Sequence, residues 1–443
     1  MAENTGTIFA PASGAGRSAI AVLRLSGPAV TDVIKSIAGR LPEPRAATLA
    51  TFRNSNTGEA IDRGMVLFFP APASYTGEDY AEFHVHGGRA VLAAMAKALG
   101  EIEGVRPAEP GEFTRRAFLN GKIDLTEAEG IGDLIAAETE WQRRAALRQA
   151  GGALGQRAAA WRAALVEAAA LIEAAIDFPD EEDVPANSRE RVGKILAPVA
   201  ASLRAELAAA RAGERIREGL AVVIAGPPNA GKSSLLNALA RRDVAIVTAI
   251  PGTTRDLIEV PMDLFGCPVT LIDTAGLRKG CDAIEEIGVG RALERAKSAD
   301  LVLWLSEAEA PVPPQVGEGE GEVWPVLTKI DLLDKESRRR LPPGLSVSAR
   351  TGEKIDLLLE KLYEFGQATL GGGDAGLIAR ERHRIAFETA ESALSRVLAA
   401  PEAPAELAAE DLRIAMAALS RLTGAVDVEE ILGEVFARFC IGK

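Results

Sequence analysis

Residues 221–234 read AVVIAGPPNAGKSS. Ala221, Val222, Val223, Ile224 and Ala225 form a short unbroken apolar run, the pattern of a strand buried in a parallel sheet. The run leads into Gly226-x-x-x-x-Gly231-Lys232-Ser233, which fits G-x-x-x-x-G-K-[ST]. Leu235, Leu236 and Leu239 follow at helical spacing. Strand, loop and helix in that order are the context this motif requires. Its glycines let backbone N–H groups curl around a phosphate, and the helix N-terminus adds partial positive charge. Lys232 is placed to reach the β- and γ-phosphates, and the Ser233 hydroxyl is a hard oxygen ligand suited to Mg²⁺.

Outward from this loop, further elements follow in a fixed order. Gly252-Thr253-Thr254-Arg255-Asp256 forms a loop able to close over Mg²⁺ with a threonine. Residues 269–276, VTLIDTAG, place Asp273 at the end of an apolar strand, where it can hold Mg²⁺ through water. The Gly276 N–H can then sense a γ-phosphate. Residues 326–331 read as a strand ending in Thr328-Lys329-Ile330-Asp331. An aspartate here accepts both guanine N1–H and N2–H, a donor pair that adenine lacks. Ser346-Val347-Ser348-Ala349-Arg350 supplies a loop to finish the base pocket. These elements predict a Ras-like P-loop GTPase domain. One departure stands out: the usual motif is Asn-Lys-x-Asp, and Thr328 replaces the asparagine with a hydroxyl. Leu277 stands where Ras-like enzymes carry their water-orienting glutamine. Hydrolysis must therefore recruit another group. Asn229 offers an amide carbonyl for a monovalent ion, and Glu285 is either a water-positioning base or a plain surface glutamate.

The chain has 443 residues, enough for about three domains. Hydrophobic residues make up 47%, sufficient for a large core, and the net charge of −13 argues against a broad nucleic-acid-binding face. No apolar run approaches the ~18 residues of a membrane span, and no signal-peptide pattern opens the chain, so a cytoplasmic protein is expected. Cys267, Cys281 and Cys440 show no metal-ligand spacing and are read as reduced thiols.

The chain reads as four segments. Residues 1–118 are α+β, with strands at 20–25, 65–69 and 80–85 and a helix at 90–99. Here Glu78, Asp79, Glu82, His84 and His86 are either a metal site or solvated loop acids and strand-face histidines. Residues 119–215 are helical; Trp161, Leu165, Ala168 and Ile172 make a core-facing stripe. The acidic run Asp180, Glu181, Glu182 and Asp183 reads as a solvated loop. Residues 216–368 are the nucleotide domain. Residues 369–443 return to helix, with an apolar stripe at Val428, Ile431, Leu432, Val435 and Phe439. The economical architecture is a split helical domain with the nucleotide domain inserted into it.

Together with these motifs, residues 110–114 (PGEFT), 118–125 (FLNGKIDL) and the terminal Cys440-Ile441-Gly442-Lys443 resemble the MnmE (TrmE) family of tRNA-modification GTPases. The resemblance covers the whole chain. It implies an N-terminal folate-binding domain, a split helical domain and the inserted GTPase domain. It also implies a homodimer formed through the N-terminal domains. A flavoprotein partner, MnmG, would carry FAD and join it in a heterotetramer that modifies the wobble uridine of certain tRNAs. The one-carbon unit would come from a tetrahydrofolate, 5-formyl or methylene. Carried over residue by residue, folate contacts fall on Arg24, Glu82, Lys122 and Lys443. Nucleotide contacts fall on Asn229, Ala230, Gly231, Lys232, Ser233 and Ser234; on Thr248, Ala249, Ile250, Pro251, Gly252, Thr253 and Thr254; on Asp273, Thr274, Ala275 and Gly276; and on Thr328, Lys329, Asp331, Ser348, Ala349 and Arg350. Potassium ligands map to Asn229, Thr248, Ile250 and Thr253, Mg²⁺ ligands to Ser233 and Thr254, and the water-orienting role to Glu285. Cys440 is either a buried thiol or a participant in the modification chemistry; its C-terminal context does not fit a prenylation box. Two competing readings are a ribosome-assembly GTPase, which the acidic balance disfavours, and a folate- and GTP-gated regulatory scaffold.

Overall fold

The computed structural model describes residues 6–14, 16–177, 188–242, 258–273, 299–315, 321–373, 376–426, 429–437, 439 and 442. Two compact units divide the chain. One draws on 1–132, 150–159 and 419–443, the other on 133–149 and 160–418.

In the first unit, β1 (Thr7–Pro11), β2 (Ser18–Ser26), β3 (Thr48–Arg53), β4 (Ala60–Phe69), β5 (Tyr80–Gly87) and β6 (Val105–Pro107) build one sheet in the order β3-β4-β5-β2-β1-β6. All neighbours are antiparallel except β1 and β6. Strand alternation sorts the side chains. Leu23, Leu25, Phe83 and Val66 share one face, closed by Ile34 and Ile37 of α1 (Val30–Ala38) and Met95 and Leu99 of α2 (Arg89–Gly100). The residues between them lie on the other face, where the register sets Arg24 opposite Glu82. On that face Ile8, Ala10 and Tyr80 pack against Phe113 of α3 (Glu112–Leu119). After α3 comes α4 (Leu125–Ala136), and Leu125 and Ala128 bury against Leu432 and Phe436 of the helix Glu429–Ala437. The strands and helix expected in this region all form, each somewhat longer than its apolar run.

The second unit combines helices with a second sheet. The helices are α5 (Glu140–Ala150), most of α6 (Ala153–Asp177), α7 (Ser188–Glu218) and the helices Glu381–Ala399 and Ala405–Thr423. Trp161, Leu165, Ala168 and Ile172 are all buried, and Trp161 meets Phe387 edge-on at 5.2 Å between ring centroids. The acidic run at 180–183 and Val428 lie outside the described residues.

The second sheet runs β12 (Leu345–Ser346), β11 (Glu322–Thr328), β10 (Leu301–Glu307), β7 (Leu220–Ala225), β9 (Cys267–Asp273) and β8 (Ile258–Leu264). It is parallel throughout except for the antiparallel β8–β9 hairpin. Val222 and Ile224 bury into a core with Leu235 and Leu239 of α8 (Lys232–Ala240) and Leu358 and Leu362 of the helix Ile355–Leu370. Asp300 anchors the start of β7: one oxygen accepts the Ala221 N–H at 2.9 Å, the other meets Arg215 Nε of α7 at 2.9 Å. One element differs from the sequence reading. The strand expected to reach Asp331 stops at Thr328, because Lys329 turns left-handed (φ 59°) and Ile330–Leu332 forms a 3₁₀ turn. That turn carries Asp331 off the strand and towards the β12 loop.

Candidate nucleotide-binding site and the Arg24 cluster

The phosphate loop sits between the end of β7 and the start of α8. Gly226 has φ 141°, and a Cβ there would lie 2.2 Å from the Leu305 carbonyl of β10, so only glycine lets the chain pass. Asn229 also takes a positive φ (64°), and Gly231 (φ 89°) caps α8. Successive backbone turns of this kind leave N–H groups converging on an anion. The Lys232 ammonium donates to the carbonyls of Gly226 at 2.8 Å and Pro227 at 2.9 Å. Ser233 Oγ donates to Asp273 Oδ2 at 3.0 Å, so the hydroxyl of one motif and the carboxylate of the next stand side by side. Asp273 is almost wholly buried, and such a pair of hard oxygens suits Mg²⁺.

At the base end, Asp331 Oδ1 accepts from Ser348 Oγ at 2.6 Å and Oδ2 from Arg350 Nε at 2.8 Å. The Ser348 bond first, then Arg350, holds the Asp331 carboxyl below the usual carboxylate range. Ala349 lies between these two partners, half-buried. The Lys329 ammonium pairs with Glu307, and Thr328 is buried with its hydroxyl turned towards the phosphate loop. Ala230 is buried and Ser234 exposed.

In the other unit, Arg24 and Glu82 come together on the outer sheet face, Nε to Oε1 at 4.0 Å. Arg24 Nε is buried and has no hydrogen-bond partner among the described residues. Its Nη1 donates to the Gly442 carbonyl at 3.4 Å, and its guanidinium carbon lies 6.0 Å from the Tyr75 ring centroid. Tyr80 Oη donates to Glu82 Oε1 at 3.4 Å, and burial pushes both the Tyr75 and Tyr80 phenols up. Lys122 is engaged separately, donating to the Pro72 carbonyl at 3.0 Å. The metal reading of the nearby acids and histidines has no support among the described residues, where no three such side chains converge. Instead Glu78 pairs with Arg116 at 3.0 Å, His84 with Glu82 at 3.1 Å and His86 with Asp62 at 2.8 Å.

Residues 7–122 match the family described as GTP-binding protein TrmE N-terminus, and residues 125–440 match the MnmE helical domain. A tRNA modification GTPase MnmE from Beijerinckia indica is 61% identical over 437 residues, covering 99% of this chain and 96% of that protein. One from Rhodopseudomonas palustris is 53% identical over 439 residues, covering 99% of both chains. A third, from Methylorubrum populi, is 54% identical over 442 residues, covering 99% of this chain and 98% of that protein. The chain belongs to the MnmE family of tRNA modification GTPases.

The MnmE helical match runs across the phosphate-loop domain, so the helices before and after that domain are parts of one family unit. No helix among the described residues is long and apolar enough to cross a membrane. Several family-derived site positions lie outside the described residues: Thr248, Ala249, Ile250, Pro251, Gly252, Thr253, Thr254, Thr274, Ala275, Gly276, Glu285, Cys440 and Lys443. The sequence reading did not single out Tyr75, Tyr80 or the Gly442 carbonyl. A tyrosine beside a strand-borne arginine carries no periodicity signal, and a contact spanning 418 positions has no local signature.

Proposed function

We propose that this chain hydrolyses GTP to drive modification of the tRNA wobble uridine, acting in the cytoplasm as a homodimer with the FAD-carrying flavoprotein MnmG. The observation that carries the reading is the alignment of phosphate loop, Ser233–Asp273 pair and Asp331 pocket at the C-terminal ends of the parallel strands β7, β9 and β11. Backbone N–H groups of the loop and Lys232 hold the phosphates. Asp331 accepts from guanine while Ser348 and Arg350 keep it ionised and oriented. Ser233 and Thr254 would hold Mg²⁺, with Asp273 beside Ser233, and the ion would neutralise charge on the β- and γ-phosphates. Leu277 cannot orient water, so Glu285 takes that role. Asn229, an exposed neutral oxygen donor on the loop, fits a potassium site completed by Thr248, Ile250 and Thr253; the ion would compensate charge in place of an arginine. Arg24 Nε, without a hydrogen-bond partner among the described residues and beside Glu82, fits a ligand with both acceptor and donor edges, as a tetrahydrofolate has. With Lys122 and Lys443 these residues form the proposed one-carbon donor site.

The test is chemical analysis of tRNA from a deletion strain carrying this gene or none. Restored modified wobble uridine supports the reading; none restored, by a chain that hydrolyses GTP, turns it towards a GTP-gated scaffold. Turnover in K⁺ and Na⁺ at equal ionic strength, with wild type and Glu285→Ala, tests the hydrolytic roles. Equal rates in both salts would remove the potassium ion from the mechanism.

A further inference from the structure

Thr328 stands where the guanine motif carries asparagine, and its surroundings assign it a different task from reading the base. The side chain is buried, 4% exposed, at the last position of β11. Its Oγ1 donates to two backbone carbonyls, Ala230 of the phosphate loop at 2.8 Å and Ser306 of β10 at 3.1 Å. A hydroxyl has one proton. Shared between those carbonyls, it is not available to a nucleobase. Guanine's O6 and N7 are acceptors, so neither can pair with a hydroxyl oxygen whose proton is committed elsewhere.

We propose that Thr328 is a positioning residue that ties the phosphate loop to the base-reading end of the sheet, and that this protein consequently binds guanine without sensing N7. The inference rests on the nucleotide-site reading above. Asp331 then selects guanine through N1–H and N2–H, in the pocket that the Ser346–Arg350 loop closes, with no contribution from the Thr328 hydroxyl. Ala230 immediately precedes Gly231, the N-cap of α8, so the tether fixes the loop at the point where its N–H groups must converge on phosphate. Ser306 keeps its place in the β10–β11 ladder, so losing the hydroxyl removes chiefly the tie to the Ala230 carbonyl and frees the loop.

The experiment compares binding of GTP and 7-deaza-GTP, in which C–H replaces N7, to the full chain with Thr328, Thr328→Val and Thr328→Ser. Wild type should bind the two nucleotides within about twofold. Thr328→Val should weaken both by the same factor, roughly three- to tenfold. Thr328→Ser, which keeps the donor, should recover most of that loss. A wild-type preference for GTP of tenfold or more, abolished in Thr328→Val, would make Thr328 a base reader and overturn the proposal. Wild-type affinity in Thr328→Val would overturn the tether. Should the valine variant fail to fold, the wild-type nucleotide pair and the serine variant still decide. Binding of neither nucleotide to wild type would instead overturn the base-pocket reading itself.

Discussion

Asp331 is ionised, held from two sides and placed by one left-handed residue, and each condition can be tested separately. Replacing it with asparagine leaves one acceptor and introduces an N–H pair facing guanine's own donors. Hydrogen bonds to a charged partner carry roughly 1.5–3 kcal/mol, so Asp331→Asn should lose tenfold or more in GTP affinity, read by nucleotide titration. The pH dependence has a definite sign. Ser348 and Arg350 lower the folded-state pKa below the ordinary 3.8. The linked stability is therefore fully present above 3.8 and is lost as pH falls through the lower folded value. GTP affinity should stay flat from neutral pH through the ordinary carboxylate range, as far as this residue governs it; a decline centred above that range would contradict the assignment. Cys267 behaves oppositely. Burial pushes its thiol up to about 12, so it should resist alkylation in the native protein near pH 8 and react only after unfolding, as peptide mapping would reveal. Much of the nucleotide site is legible in residue order, because phosphate and guanine each demand particular atom types at fixed spacings. The task of Thr328 is not, because a hydroxyl's single proton can go to several acceptors and only the fold chooses between them.

Among the elements, the β8–β9 hairpin lies between the two candidate Mg²⁺-side motifs, and its tip is clamped by a helix. Trp141, near the start of α5, donates its backbone N–H to the Gly266 carbonyl at 3.1 Å, and its ring is buried in the nucleotide-domain core. Tyr363 lies beside it, 6.3 Å between centroids, and Phe265 of the hairpin meets Tyr363 at 5.4 Å. Gly373 completes the clamp: at φ 85°, a Cβ there would approach the Trp141 ring to 2.8 Å. Trp141→Ala should therefore destabilise this unit by about 3–5 kcal/mol, read as a lowered urea midpoint. A change of a few tenths would show that the ring only covers surface. The reach of β8 was hidden from pattern reading by Pro261, which breaks a central strand but is tolerated on an edge, where β8 lies. By contrast, β7 and the Trp161 stripe were legible, since burial on both faces or on one helical face writes itself directly into residue order.

For the whole molecule, the informative fact is that the last residues of the chain join the same compact unit as the first strands. Nothing local in the sequence announces this, since it depends on the nucleotide domain being inserted between two halves of a helical region. Gly442 sits buried in that junction at φ 97°, and a Cβ there would lie 2.1 Å from the Pro11 carbonyl. Its own carbonyl accepts from Arg24, the residue whose Nε has no hydrogen-bond partner among the described residues. Gly442 thus admits no side chain where its carbonyl meets Arg24. Gly442→Ala faces both a disfavoured backbone conformation and a clash with main chain that cannot rotate away. The substitution should displace residue 442 from Pro11 and break the Arg24 contact. Tetrahydrofolate binding should then fall tenfold or more, and wobble-uridine modification should fall with it. GTP turnover should remain near wild type, because Lys232, Ser233, Asp273 and Asp331 all belong to the other unit. Deleting residues 441–443 should reproduce the same split between the two activities. If Gly442→Ala binds tetrahydrofolate as wild type does while the deletion does not, the tail acts through its end groups and the glycine seat is dispensable. If both bind normally, the folate site does not involve the tail at all.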